Sequence, residues 1–200
     1  MTSGGIEPSD ALPDETAWRL ENRSGLPHAL PLLTAVLPRD GWSGHPNFAG
    51  LTEYWLSWHA MFRELVSRIG ADAGALSSGG MEPENFRHRL ARLGGLLLNQ
   101  LHGHHQVEDG HYFPLFVRRE PDLARGFEIL DRDHQVVAGW LGEFAGRSNA
   151  LIAATATPGF QPHEAGAYHD WFTAFEPLLE RHLSDEEDLV IPLLLRDGMG

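Results

Sequence analysis

The chain has 200 residues, with 15 Lys and Arg against 28 Asp and Glu, and its net charge of −13 disfavours nucleic acid or an anionic membrane as partner. Hydrophobic residues make up 42%, including six Trp and ten Phe, which suits one folded domain with a substantial core. Cysteine is absent, so disulfides, thiolate metal sites and cysteine redox switching are excluded. The first residues carry neither a basic region nor an apolar run, and no apolar stretch approaches the ~20 residues that span a bilayer, so the expected location is the cytoplasm.

Residues 1–46 are rich in Pro and Gly, and the apolar piece from Leu26 to Leu37 is interrupted by Pro27 and Pro31, with Pro38 following. They predict an arm packed on the body, with at most short helices. Phe48, Leu51, Trp55, Trp58, Phe62, Leu65 and Ile69 then repeat at helical spacing, predicting a first helix over about 47–69 and a loop over 70–80. A second helix is predicted over about 84–112, opened by Pro83 and carrying the stripe Phe86, Leu90, Leu93, Leu97, Leu101, His104 and Glu108. After a break at Pro114–Pro121, a third helix is expected over about 122–153. A fourth covers about 164–188, kinked at Pro177. No period-2 strand pattern occurs. The fold expected for residues 47–200 is all-α, an antiparallel four-helix bundle.

One segment occurs twice. His104-His105-Gln106-Val107-Glu108-Asp109 leads to Phe113-Pro114, and His182-Leu183-Ser184-Asp185-Glu186-Glu187 leads to Ile191-Pro192. The differences 182−104, 186−108 and 192−114 all equal 78. A His four residues before a Glu stacks with it on one helical face, about 5–6 Å apart. A lone pair of this kind is usually a solvated surface pair. Two of them, each in an apolar helix, are what a metal requires if the helices pack together. The first and third helices each offer one histidine on the apolar stripe: His59 with Trp55 and Phe62, and His134 with Leu130 and Val137. Taken singly, either is equally well a hydrogen-bonded core imidazole. His28, His45, His88, His102, His163 and His169 have no partner on a shared face and read as surface, cap or packing residues.

The order His, His-His-x-x-Glu-Asp to Phe-Pro, Asp-His, His-x-x-x-Glu-Glu to Ile-Pro resembles the hemerythrin-like (HHE) cation-binding domain over roughly residues 47–195. A ferritin-like site would show Glu-x-x-His on two helices instead. The resemblance implies a bundle around two non-haem iron ions, bridged by an oxo or hydroxo group. Oxygen-carrying members place two histidines one turn apart on the third helix. Here the position four after His134 is Ala138, and an extra imidazole, His105, adjoins His104. The expected ligands are therefore His59, His104, His105, Glu108, His134, His182 and Glu186, with Glu108 and Glu186 bridging. His105 lies about 100° round the helix from His104 and reads equally as a surface neighbour. His111 is expected to pack beside the ligands, and Glu187 and Asp109 to accept imidazole N–H bonds or to face solvent. Trp55, Trp58, Phe62, Phe113 and Trp140 are expected to line the cavity.

Imidazole with carboxylate suits Fe, Zn, Cu or Mn; a closed zinc site needs only four ligands, and the resemblance selects iron. The leading expectation is a di-iron protein that binds O2 or a related small molecule such as NO for storage, delivery or sensing. The alternatives are an enzyme that decomposes peroxide or oxidises ferrous iron, and a metal-stabilised bundle acting as a protein-interaction module.

Overall fold

The computed structural model describes residues 15–26 and 36–198. Pro27, His28 and Pro31 of the arm lie outside the described residues. The bundle begins with α1, Leu51–Ser77. It runs eight residues past Ile69, where a loop was expected, because Ala73 and Leu76 continue the buried stripe and Asp72 is held by Arg89 at 2.6 and 2.9 Å. The helix ends where Gly79 takes φ +75°, a conformation that favours glycine.

Next comes α2, Pro83–Val107, then a π-turn over Glu108–Tyr112, and then α3, Phe113–Arg119. The break expected over 114–121 is thus helical as far as Arg119, and the irregularity lies just before it, in a widened turn where the Phe113 N–H donates to the Glu108 carbonyl five residues back. Pro114 falls in the first turn of α3, where its missing N–H matters least. A short 3-10 turn, Pro121–Leu123, leads into α4, Ala124–Thr155. The fourth leg is α5, Gly166–Thr173, followed by α6, Phe175–Asp197. Pro177 cannot donate to the Thr173 carbonyl, and the two helices part at Ala174, close to the predicted kink. Rather than ending at Asp188, α6 continues through Pro192. Burial of Leu189, Val190, Ile191, Leu193, Leu194 and Leu195 outweighs the one backbone hydrogen bond that the proline removes.

The apolar core falls into two blocks. One gathers Phe62 and Leu65 of α1, Leu97 and Leu101 of α2, Val137 and Leu141 of α4, and Leu179 and Leu183 of α6. The other gathers Trp55 of α1, Phe113 and Phe116 of α3, Phe127 and Leu130 of α4, and Leu189 and Leu193 of α6. The chain passes between them in alternating directions along successive legs, which is the antiparallel order expected. Helices α4 and α6 approach closely at Gly126, where a Cβ would lie 2.8 Å from Leu189 Cδ2. The described part of the arm packs on this frame through buried Leu20 and Trp42, with the 3-10 turns Glu15–Trp18 and Arg39–Gly44. Among the described residues no strand occurs and no helix is long and apolar enough to cross a membrane.

Candidate metal centre

Between the two apolar blocks lies one polar layer, and all seven expected ligands are in it. His59 follows Trp55 by one turn on α1; His104, His105 and Glu108 follow Leu101; His134 follows Leu130; His182 and Glu186 flank Leu183. Their ligand atoms form two groups, each with its members within 4.8 Å of one another: His59, His104, Glu108 and Glu186 in one, and His105, His134 and His182 in the other.

The two carboxylates join the groups. Glu108 sets Oε1 2.8 Å from His104 Nε2 and Oε2 3.6 Å from His134 Nε2. Glu186 sets Oε1 3.2 Å from His59 Nε2 and Oε2 3.4 Å from His182 Nε2. One position is therefore faced by two imidazoles and two carboxylate oxygens, the other by three imidazoles and two carboxylate oxygens. His59, Glu186 and His182 are wholly buried, and Glu108, His134 and His105 nearly so.

Burial makes the donor set testable. Polar atoms out of water need hydrogen-bond partners. Yet both oxygens of Glu108, Oε2 of Glu186, and Nε2 of His105, His134 and His182 have none. Six lone-pair-bearing atoms converging without donors fit cations placed among them, and more than four converging ligands exceed a closed zinc site. The electrostatics agree. Burial and the neighbouring Glu186 carboxylate push the Glu108 carboxyl well above its usual range. For Glu186 burial works the same way but is outweighed by the His59 and His182 imidazoles, which hold it well below. Burial lowers His104 to about 3 and, with His134 and His182 nearby, takes His105 well below the ordinary imidazole value. His59 goes the other way: Glu186 and Glu187 overcome its burial and raise it to about 9. A cation must displace that proton from Nε2.

The far nitrogens of three rings are held by carboxylates, which orients each ring with Nε2 toward the layer. His59 Nδ1 lies 2.9 Å from Glu187 Oε1, His134 Nδ1 2.6 Å from Asp109 Oδ1, and His182 Nδ1 3.4 Å from Asp133 Oδ2. Trp55 Nε1–H donates to Glu186 Oε1 at 2.5 Å. Glu187 and Asp109 thus both accept imidazole N–H groups, Glu187 buried and Asp109 still partly exposed. Asp133 was not singled out from the sequence, although its place directly before His134 was a visible signal.

The structure brings His105 into the layer, its ring against that of His134. His111, by contrast, is exposed and touches Tyr112 at the surface, so it does not pack beside the other imidazoles. Among the expected cavity residues, Phe62 packs on His104 and Phe113 on His134. Trp140 does not line the centre: it stacks on Trp171 and Phe175 in the first apolar block. The described histidines outside the layer, His45, His88, His102, His163 and His169, are all at least partly exposed. Among the described residues, a cavity of about 340 Å³ lined by Leu51, Tyr54, Trp55, Trp58, Val107 and Tyr112 also reaches His104 and Glu108.

The model of the hemerythrin HHE cation-binding domain matches residues 51–197, and the chain belongs to that family of metal-cation-binding domains. None of the curated proteins and none of the solved structures matches it significantly.

Proposed function

We propose that the chain holds two non-haem iron ions and binds O2 or a related small molecule such as NO for storage, delivery or sensing. The observation that carries this is the span of Glu108 and Glu186, each offering separate oxygens to the two imidazole groups. His59 and His104 would hold one ion, His105, His134 and His182 the other, with both carboxylates shared. When bound, such a pair supplies redox change and affinity for a small diatomic ligand.

The protein's own residues do the rest. The three carboxylates behind His59, His134 and His182 hold each ring with Nε2 aimed inward. Trp55 orients Glu186. The aromatic walls of the cavity admit apolar gases and thin out bulk water, and the cavity leads to the position with fewer imidazoles, where a ligand has room. Turnover of hydrogen peroxide is the second reading, favoured by one observation: His104 keeps 10% of its side chain exposed.

Anaerobic reduction followed by O2 titration separates them. The binding reading expects a charge-transfer band that appears with O2 and disappears when it is removed. Steady consumption of hydrogen peroxide without such a band would favour the enzyme. One zinc and negligible iron per chain after growth in iron-replete medium would refute both.

A further inference from the structure

Two arginines from outside the matched domain bond to carboxylates that hold imidazoles of the centre. Arg23 leaves the arm and is almost fully buried, with 3% of its side chain exposed. Its Nη1 donates to Asp133 Oδ1 at 2.8 Å, its Nη2 to Asp133 Oδ2, and its Nε to Asp185 Oδ2 at 2.8 Å. Nη1 also donates to the Trp18 carbonyl at 3.0 Å. Asp133 is the carboxylate that faces His182 Nδ1. Arg39 donates through Nη1 to Glu187 Oε2 at 2.6 Å, through Nε to Asp188 Oδ1 at 2.7 Å, and through Nη2 to the Ser184 carbonyl at 2.6 Å. Glu187 is the carboxylate that faces His59 Nδ1. Each ion position thus has one imidazole linked through one carboxylate to one arginine of the arm.

A packing role alone would not require this aim. A buried guanidinium needs carboxylate partners, but Asp185 together with the Trp18 carbonyl would already take up two of its five donors. The fork instead closes on both oxygens of Asp133 and fixes that carboxylate's plane, which a single ammonium cannot do. We propose that the arm is a clasp on the metal centre, in which Arg23 and Arg39 are positioning residues that set His182 and His59 through Asp133 and Glu187. This rests on the proposed two-ion site. Because coupling between two sites is reciprocal, the docked arm slows metal release and the bound metal holds the arm down.

The test uses the full chain loaded anaerobically with Co2+ as probe, with metal release to EDTA followed together with the exchangeable ring N–H resonances. Arg23→Gln is expected to release one of the two ions about ten- to a hundredfold faster, a loss typical of disturbed outer partners. It should move the His182 resonance and leave that of His59 in place. Arg39→Gln should do the converse and more weakly, since Arg63 still donates to Glu187 at 2.7 Å. Metal should slow amide exchange at Trp18–Arg23. Leu97→Ala, which weakens the bundle in an apolar block, should leave the release rate unchanged. If Arg23→Gln does not fold, Arg23→Lys, which keeps the charge without the fork, takes its place with the same expectation. Wild-type release and an unmoved His182 resonance in the Arg23 variant would overturn the clasp alone. So would an equal acceleration in Leu97→Ala. A wild-type chain that takes up no metal would overturn the clasp and the two-ion reading together.

Discussion

The ring of His105 lies face to face with that of His134, centroids 3.9 Å apart and planes within 10° of parallel. In neither ring does Nε2 have a hydrogen-bond partner. Ala138, four residues after His134, is exposed and turned away from the layer. His105 therefore supplies from the second leg an imidazole that the third leg has no inward place for. The expected outcome for His105→Ala is a fall in iron from about two ions to about one per chain, with a raised rate of peroxide consumption. Elemental analysis and the absorption spectrum check it; a wild-type match in both would show that His105 is no ligand.

Glu108→Ala and His182→Ala are expected to narrow the gap between the melting temperatures of metal-loaded and metal-stripped protein. A ligand bound to the folded state at a hundred times its Kd stabilises by about 2.7 kcal/mol, and a lost ligand forfeits most of that. In the stripped protein Glu108→Ala removes a buried carboxyl without a hydrogen-bond partner, so its melt should hold or rise. Calorimetry with and without iron gives the two curves. An unchanged gap in either variant counts against that residue as a ligand.

Gly103 lines the cavity, and an added Cβ there meets nothing within 4 Å. Gly103→Phe is accordingly expected to fill the approach while leaving the ligand layer intact. Stopped-flow mixing with azide should show entry slowed several-fold at unchanged iron content. Entry at the wild-type rate would mean that small molecules reach the centre another way.

Tyr168 is buried and shares a hydrogen bond of 2.9 Å with Ser148, and its burial raises the phenol from 10.0 to about 12. A raised folded value means that the folded state keeps a proton which the unfolded chain has lost. Its contribution is whole below pH 10 and declines as the pH climbs towards 12. Tyr168→Phe should cost about 1 kcal/mol at neutral pH, because Ser148 loses its partner. It should also flatten the loss of stability across that alkaline window. Urea melts at pH 8 and pH 11 make the comparison; parallel losses in both proteins would contradict it.

The candidate site was legible because paired donors on a helix leave a local signature. His-x-x-x-Glu places two donors on one face whatever surrounds them, and its recurrence at a separation of 78 marks two equivalent helices. Helix ends were less legible, since they depend on what covers them. Ala71–Ser77 stays helical because Ala73 and Leu76 find the core, and Pro192 is carried through by its buried neighbours. The arginines of the arm left no signal. Arg23 lies in an aperiodic stretch, 110 residues from Asp133 and 162 from Asp185, and only the folded chain reveals its aim.

The π-turn at Glu108–Tyr112 acts as a change of phase within one leg. Upstream, the inward positions are Leu101, His105 and Glu108; downstream they are Phe113 and Phe116. The step from Glu108 to Phe113 is five residues, where a regular helix would bring Tyr112 inward instead. Without this extra residue, a leg that aimed its donors correctly would turn the wrong side of its aromatic end toward the neighbouring helices. The wide turn uncouples the two halves, so chemistry is aligned above it and packing below it. A chain one residue shorter at Gly110 would have to satisfy one half or the other.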